Sequence, residues 1–122
     1  MAKVIYSEID NNPLFSGLAE VLPDISYSAA HPELKMTIIF PQAARRLDDG
    51  RSYPTIVFVQ GSGWTSPNIY YEIPQLSRFA QLGYIVATLT HRSALDGHRA
   101  PAFLEDVKTA IRFLREKADE YK

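Results

Sequence analysis

An apolar run, Thr55-Ile56-Val57-Phe58-Val59-Gln60, stops at Gly61-Ser62-Gly63-Trp64. Glycines placed directly after a strand let backbone N–H groups approach a negatively charged oxygen. That chemistry serves a phosphate or an oxyanion. A dinucleotide cradle needs a third glycine, as G-x-G-x-x-G, and Ser66 stands in its place. The acid expected at the end of the next strand is replaced by Thr90, His91 and Arg92. A phosphate-binding P-loop needs G-K-[ST], which is absent. Two uses remain for the turn. It is either a tight bend that needs glycine for backbone reasons alone, or an oxyanion hole that stabilises a tetrahedral intermediate. Trp64 favours the second, because ligands of open α/β sheets bind beyond the carboxyl ends of the strands.

An oxyanion needs a nucleophile to create it. The serines are 7, 16, 26, 28, 52, 62, 66, 77 and 93, and none lies in a G-x-S-x-G elbow. Ser62 comes nearest in composition, yet its surroundings, Gln60-Gly61-Ser62-Gly63-Trp64, belong to the glycine turn. His91, Asp96 and His98 share one loop with Ser93. They lack the helical spacing of a metal site and the scaffold of a triad, and read as solvent-facing polar residues. His31 precedes Pro32 and reads as a turn residue. Asp48-Asp49 and Glu105-Asp106 fall on a turn and a helix start, where capping explains them.

The 122 residues are of single-domain size, with 46% apolar and 22% charged residues. A net charge of −1 gives no electrostatic footprint for nucleic acid or an anionic membrane. There are no cysteines, so disulfides and thiolate chemistry are excluded. No apolar run nears the ~20 residues of a membrane span, and the polar start carries no secretion signal, so a cytoplasmic protein is expected. No cofactor motif is complete, and none is expected.

The elements that must hold the turn follow from periodicity. Residues 1–24 read as an N-terminal extension, with a short helix from Asn12 to Leu22. A hairpin follows, with arms at about Ile25–Ser28 and Leu34–Phe40. Thr55–Gln60 reads as a strand buried on both faces. Pro74–Leu82 reads as a helix with Leu76, Phe79, Ala80 and Leu82 turned inward. Tyr84–Thr90 is a second apolar strand. Residues 101–121 form the strongest helix, with Phe103, Leu104, Val107, Ala110, Ile111, Leu114 and Ala118 in one stripe. Strands alternating with helices imply right-handed crossovers. The fold class is therefore α/β, a mixed, mostly parallel sheet with an N-terminal antiparallel hairpin.

In that order, "YPTIVFVQGSGW", "IPQLSRFAQLGYIVATLTHR" and "APAFLEDVKTAIRFLREKADEY" resemble the N-terminal half of an α/β-hydrolase esterase or lipase. They are most similar to the carbohydrate-esterase group of acetylxylan- and feruloyl-esterase-like proteins. The resemblance covers about residues 25–122. It implies that Gln60 replaces a motif histidine and Ser62 a motif glycine, while Gly61 and Gly63 match. The backbone N–H groups of Ser62 and Gly63 are then the oxyanion donors. Trp64 walls the acyl pocket with Gly61 beside it, and Tyr70 or Tyr71 lines the rim. Arg92 matches an arginine at the end of the fourth strand, expected to pair with Asp106 in a structural role. The resemblance places nucleophile, acid and histidine beyond Lys122, so residues 1–122 form a single partial domain, inactive alone. It also leaves Thr55–Gln60 with an uncovered edge, open to self-association. The substrate implied for the family is a small-molecule or sugar ester. The other expectation is a non-catalytic interaction protein derived from a truncated hydrolase.

Overall fold

The computed structural model describes residues 18–45, 52–61, 63 and 65–121. Its elements are β1 (Ala19–Ser26), β2 (Lys35–Pro41), α1 (Gln42–Arg45), β3 (Thr55–Phe58), α2 (Ile73–Gln81), β4 (Ile85–Leu89), α3 (Ala102–Glu116) and α4 (Ala118–Tyr121). A single 3-10 turn, Ala94–Asp96, lies between β4 and α3. Among the described residues the strands form one sheet in the order β1-β2-β4-β3. β1 and β4 both run antiparallel to β2, and β3 runs parallel to β4. The sheet is mixed, and the parallel part expected from strand–helix–strand alternation is the β3–β4 pair.

Period-two alternation divides the sheet between two layers. Met36, Ile38, Phe40, Ile85, Ala87 and Leu89 point to one face, where Val107, Ala110, Phe113 and Leu114 of α3 cover them. Ile39 and Val86 point to the other, against Leu76 and Ala80 of α2. All of β4 is buried, because it has strands on both edges and helices on both faces.

Four expectations are corrected. Residues 18–22 do not continue a helix: β1 begins at Ala19, well before Ile25. Pro23 is tolerated because β1 is an edge strand and the register shifts between Leu22 and Ile25. Asp24 takes up that irregularity with a φ of 58°. The start of the proposed helix, before residue 18, lies outside the described residues. Second, β3 is only partly buried, being the sheet's other edge. Third, Phe79 and Leu82 of the α2 region are exposed, and Phe79 packs edge-on against Tyr84. Fourth, α3 ends at Glu116 and its buried line runs through Ala102, Asp106 and Ala110. Leu104 and Ala118 are exposed. A carboxylate occupies the stripe because Arg92 neutralises it there, as described below.

Candidate active-site turn

The chain leaves β3 at Phe58 and enters the glycine turn at the carboxyl end of the parallel β3–β4 pair. Ser62 and Trp64 lie outside the described residues, so of the two expected oxyanion donors the structure describes Gly63. Gly63 has a φ of 61°, in the left-handed region that disfavours a side chain. Gly61 and Gly63 are both exposed, and no described residue comes within 4 Å of where a Cβ would stand on either.

A short polar network sets the shape of this turn. Gln60 Oε1 accepts the backbone N–H of Asn68 at 2.7 Å. Asn68 Oδ1 accepts the N–H of Tyr70 at 3.1 Å, and Asn68 O accepts that of Tyr71 at 3.2 Å. Pro67 and Ile69 are buried and anchor the segment from below. Gln60 thus ties the residue after β3 to the segment ahead of α2. Tyr70 is 51% exposed, and its hydroxyl donates to Asp24 Oδ1 of β1. That bond raises the phenol's pKa, since the bond is lost with the proton. Tyr71 is more exposed still.

The second polar cluster lies after β4. The backbone N–H of Arg92 donates to Asp106 Oδ2 at 2.7 Å, and its Nε donates to Oδ1 at 3.0 Å. Its Nη2 reaches Oδ1 at 3.0 Å, Glu105 Oε2 at 3.4 Å and Ala102 O at 3.3 Å. Asp106 is almost wholly buried, and its hydrogen bond raises the Arg92 pKa. The expected structural pair is formed, and it ties the end of β4 to the first turns of α3. Sequence reasoning found it because the two residues match a motif, although apolar periodicity alone would have left Asp106 outside.

His91 departs from expectation. It is buried, 3% exposed, with Nδ1 2.9 Å from Arg92 O and its ring edge-on to Phe103. Ser93 is also buried, and its Oγ caps the 3-10 turn by accepting the N–H of Leu95. Asp96 and His98 are exposed. Among the described residues no group of three or more His, Cys, Asp or Glu side chains is placed to hold a metal ion. His31 lies in the β1–β2 turn, 3.6 Å from Glu33, with its carbonyl accepting the Leu34 N–H. No described helix is long and apolar enough to cross a membrane.

Strand, glycine turn, helix, strand and arginine-anchored helix, behind an antiparallel hairpin, define the N-terminal portion of an α/β-hydrolase of the esterase type. The sequence model of the BD-FAE family matches residues 39–122, well over half of the chain. The chain belongs to that family.

Among solved structures, a bifunctional GH43-CE protein of Bacteroides eggerthii is 32% identical, with a TM-score of 0.68 over 84% of this chain and 14% of that one. Esterase 2 of Thermogutta terrifontis, in a form phosphonylated by sarin, is 27% identical, with a TM-score of 0.70 over 89% of this chain and 38% of that one. Esterase B of Lactobacillus rhamnosis shares the fold at 19% identity, with a TM-score of 0.70 over 91% and 34%. The chain thus spans well under half the length of these structures. No curated protein matches it.

Proposed function

We propose that residues 1–122 are the oxyanion-bearing portion of a serine carboxylic-ester hydrolase that acts on small-molecule or sugar esters. The reaction is attack by a serine on the ester carbonyl, loss of the alcohol, and hydrolysis of the acyl-enzyme. The backbone N–H groups of Ser62 and Gly63 receive the developing oxyanion. Trp64 and Gly61 border the acyl group, and the ring of Tyr70 supplies an outer rim. Nucleophile, acid and histidine come from outside these residues, so the chain has no ester turnover alone. No cofactor takes part. The observation that carries this reading is the left-handed, exposed Gly63 at the carboxyl end of β3.

The test is a transplant of residues 18–122 into the esterase part of the B. eggerthii protein, in place of the matching segment. The chimera should hydrolyse p-nitrophenyl acetate with saturation kinetics, and Gly63→Pro should lower kcat by roughly 10²–10³. A folded chimera without turnover, or one indifferent to Gly63→Pro, rules the reading out.

A second reading is an interaction protein that pairs with its own copy through the β3 edge. Among the described residues nothing pairs with the outer edge of β3. Beside it runs a cavity of about 310 Å³ lined by Thr55, Val57, Ile111 and Leu114. Open apolar edges invite strand addition. Sedimentation velocity should show association that rises with concentration and that Val57→Lys suppresses. A monomer at all concentrations disposes of this reading.

A further inference from the structure

β1 contains a bulge. Leu22 faces Ile38 and Ile25 faces Met36, so Pro23 and Asp24 together oppose Thr37. The Asp24 N–H donates to Thr37 Oγ1 at 3.4 Å, and Asp24 stands at a φ of 58°. A β-bulge takes a side chain out of the strand's alternation and re-aims it. Here the re-aimed Asp24 Oδ1 accepts the hydroxyl of Tyr70, 46 residues further along the chain. Left-handed backbone disfavours a side chain, although Asp and Asn enter it more readily than most residues. Glycine would fill this position with less strain, but it could not reach Tyr70.

From Tyr70 the contacts continue to the glycine turn. The Tyr70 N–H donates to Asn68 Oδ1 at 3.1 Å, and the Asn68 N–H donates to Gln60 Oε1 at 2.7 Å. Gln60 adjoins Gly61. β1 is antiparallel to β2, β2 is antiparallel to β4, and β3 is parallel to β4, so β1, β4 and β3 point the same way. Asp24 stands near the carboxyl end of β1, and Gln60 just past that of β3. β1 and β3 are the two outer strands of the described sheet. The linked contacts therefore cross the carboxyl end of the sheet from one edge to the other, about 14 Å at three strand spacings. Pro67 and Ile69, both buried, pin the crossing segment to the body of the protein.

We infer that Asp24 and Tyr70 are positioning residues for the glycine turn, the far anchor of a strap that holds Gly61 and Gly63 in place through Asn68 and Gln60. The inference rests on the ester-hydrolase reading for its effect on rate, and on the hydrogen bonds alone for the order of the turn. Oxyanion donors work because they are fixed before the charge develops. A loosened turn loses binding made only in the transition state, so kcat falls and KM holds. A Tyr70 that served only as a rim for substrate would give the reverse, a higher KM at the same kcat.

Three substitutions test the strap. Tyr70→Phe keeps the ring and removes the hydroxyl. Asp24→Gly removes the acceptor and suits the left-handed backbone, so its effect is not that of a strained strand. Asp24→Asn keeps an oxygen acceptor on a residue type that bears this backbone. In the 122-residue chain, amide relaxation followed by NMR reads the order of the turn. The order parameters of Gly61 and Gly63 should fall from about 0.85 toward about 0.6 in Tyr70→Phe and Asp24→Gly. They should stay near the parent in Asp24→Asn, and β4 should be unchanged in all three. In the esterase chimera, Tyr70→Phe and Asp24→Gly should each lower kcat roughly three- to tenfold, with KM within about twofold. Asp24→Asn should recover most of that rate, and the double variant Asp24→Gly/Tyr70→Phe should be no slower than either single one. Glycines already mobile in the parent, order unchanged by the substitutions, loss that spreads to β4, a change in KM alone, or no recovery with Asp24→Asn overturns the inference. Relaxation does not pass through catalysis. Unchanged order beside an active chimera removes the strap and leaves the hydrolase reading. Loss of order beside an inactive chimera leaves the strap and removes the hydrolase.

Discussion

Gln60 Oε1 accepts the backbone N–H of Asn68 at 2.7 Å, and this bond closes the loop that holds the glycine turn. The two residues stand at the end of β3 and ahead of α2, so one side chain fixes the span between them. The contact is exposed, so its worth is that of an ordinary hydrogen bond, about 0.5–1.5 kcal/mol. Gln60→Leu should speed hydrogen exchange at the Asn68 amide by roughly three- to tenfold. Gln60→Glu retains the acceptor and should preserve protection at neutral pH. Amide exchange followed by NMR reads both.

The two glycines of the turn should respond differently to alanine. Among the described residues neither has a neighbour within 4 Å of the added Cβ, so backbone conformation is what separates them. Gly63 sits at a φ of 61°, and Gly63→Ala should cost about 1–2 kcal/mol. Gly61→Ala should stay within about 0.5 kcal/mol. Urea midpoints measure the difference. A loss of activity at Gly61→Ala without loss of stability would mark close approach of a ligand.

The Arg92–Asp106 pair should matter for stability and not for chemistry. Asp106→Ala leaves a guanidinium without its buried partner. A fully buried pair would cost about 3–5 kcal/mol, and the solvent-facing side of Arg92 reduces this to about 2–3 kcal/mol. Arg92→Lys keeps the charge and loses the fork, and should fall between that variant and the parent. Urea denaturation ranks the three proteins.

Tyr27 supplies an alkaline limit. Burial holds its pKa well above the usual phenol value, and the negative charge of Asp106 adds to this while Arg92 opposes it. The folded pKa lies above the unfolded value of about 10, so the stabilisation is complete below that pH and is lost as pH rises beyond it. Above about pH 10 the parent should lose stability more steeply than Tyr27→Phe. At neutral pH the variant should be weaker by about 1 kcal/mol, for the lost bond to Thr90 O.

Local pattern made some of this molecule readable in advance. β2, β4 and α2 are strongly periodic and bounded by turn residues, and they fall within two residues of expectation. Arg92 and Asp106 were legible as a pair. β1 was not, because Leu14, Leu18 and Leu22 have helical spacing and Pro23 argues against a strand. Only edge position and the bulge at Asp24 make that strand possible. The buried line of α3 was missed at Asp106 because periodicity treats a carboxylate as outward-facing. A cavity of about 260 Å³ beyond the carboxyl end of β4 was outside any local reading, since it joins Glu33, Ser66 and Asp96 from three distant stretches.

The strand order β1-β2-β4-β3 also sets a timetable for the growing chain. The hairpin can close as soon as residue 41 is made, because its partners are neighbours in sequence. β3 emerges next, with no place beside β2 to dock. It must wait until Leu89 has been synthesised and β4 has slotted between them. Non-local pairing of this kind is slow and leaves apolar strands exposed meanwhile. During translation, the segment that carries the glycine turn is therefore a waiting strand, and chaperone capture should concentrate on nascent chains from which β3 has emerged and β4 has not.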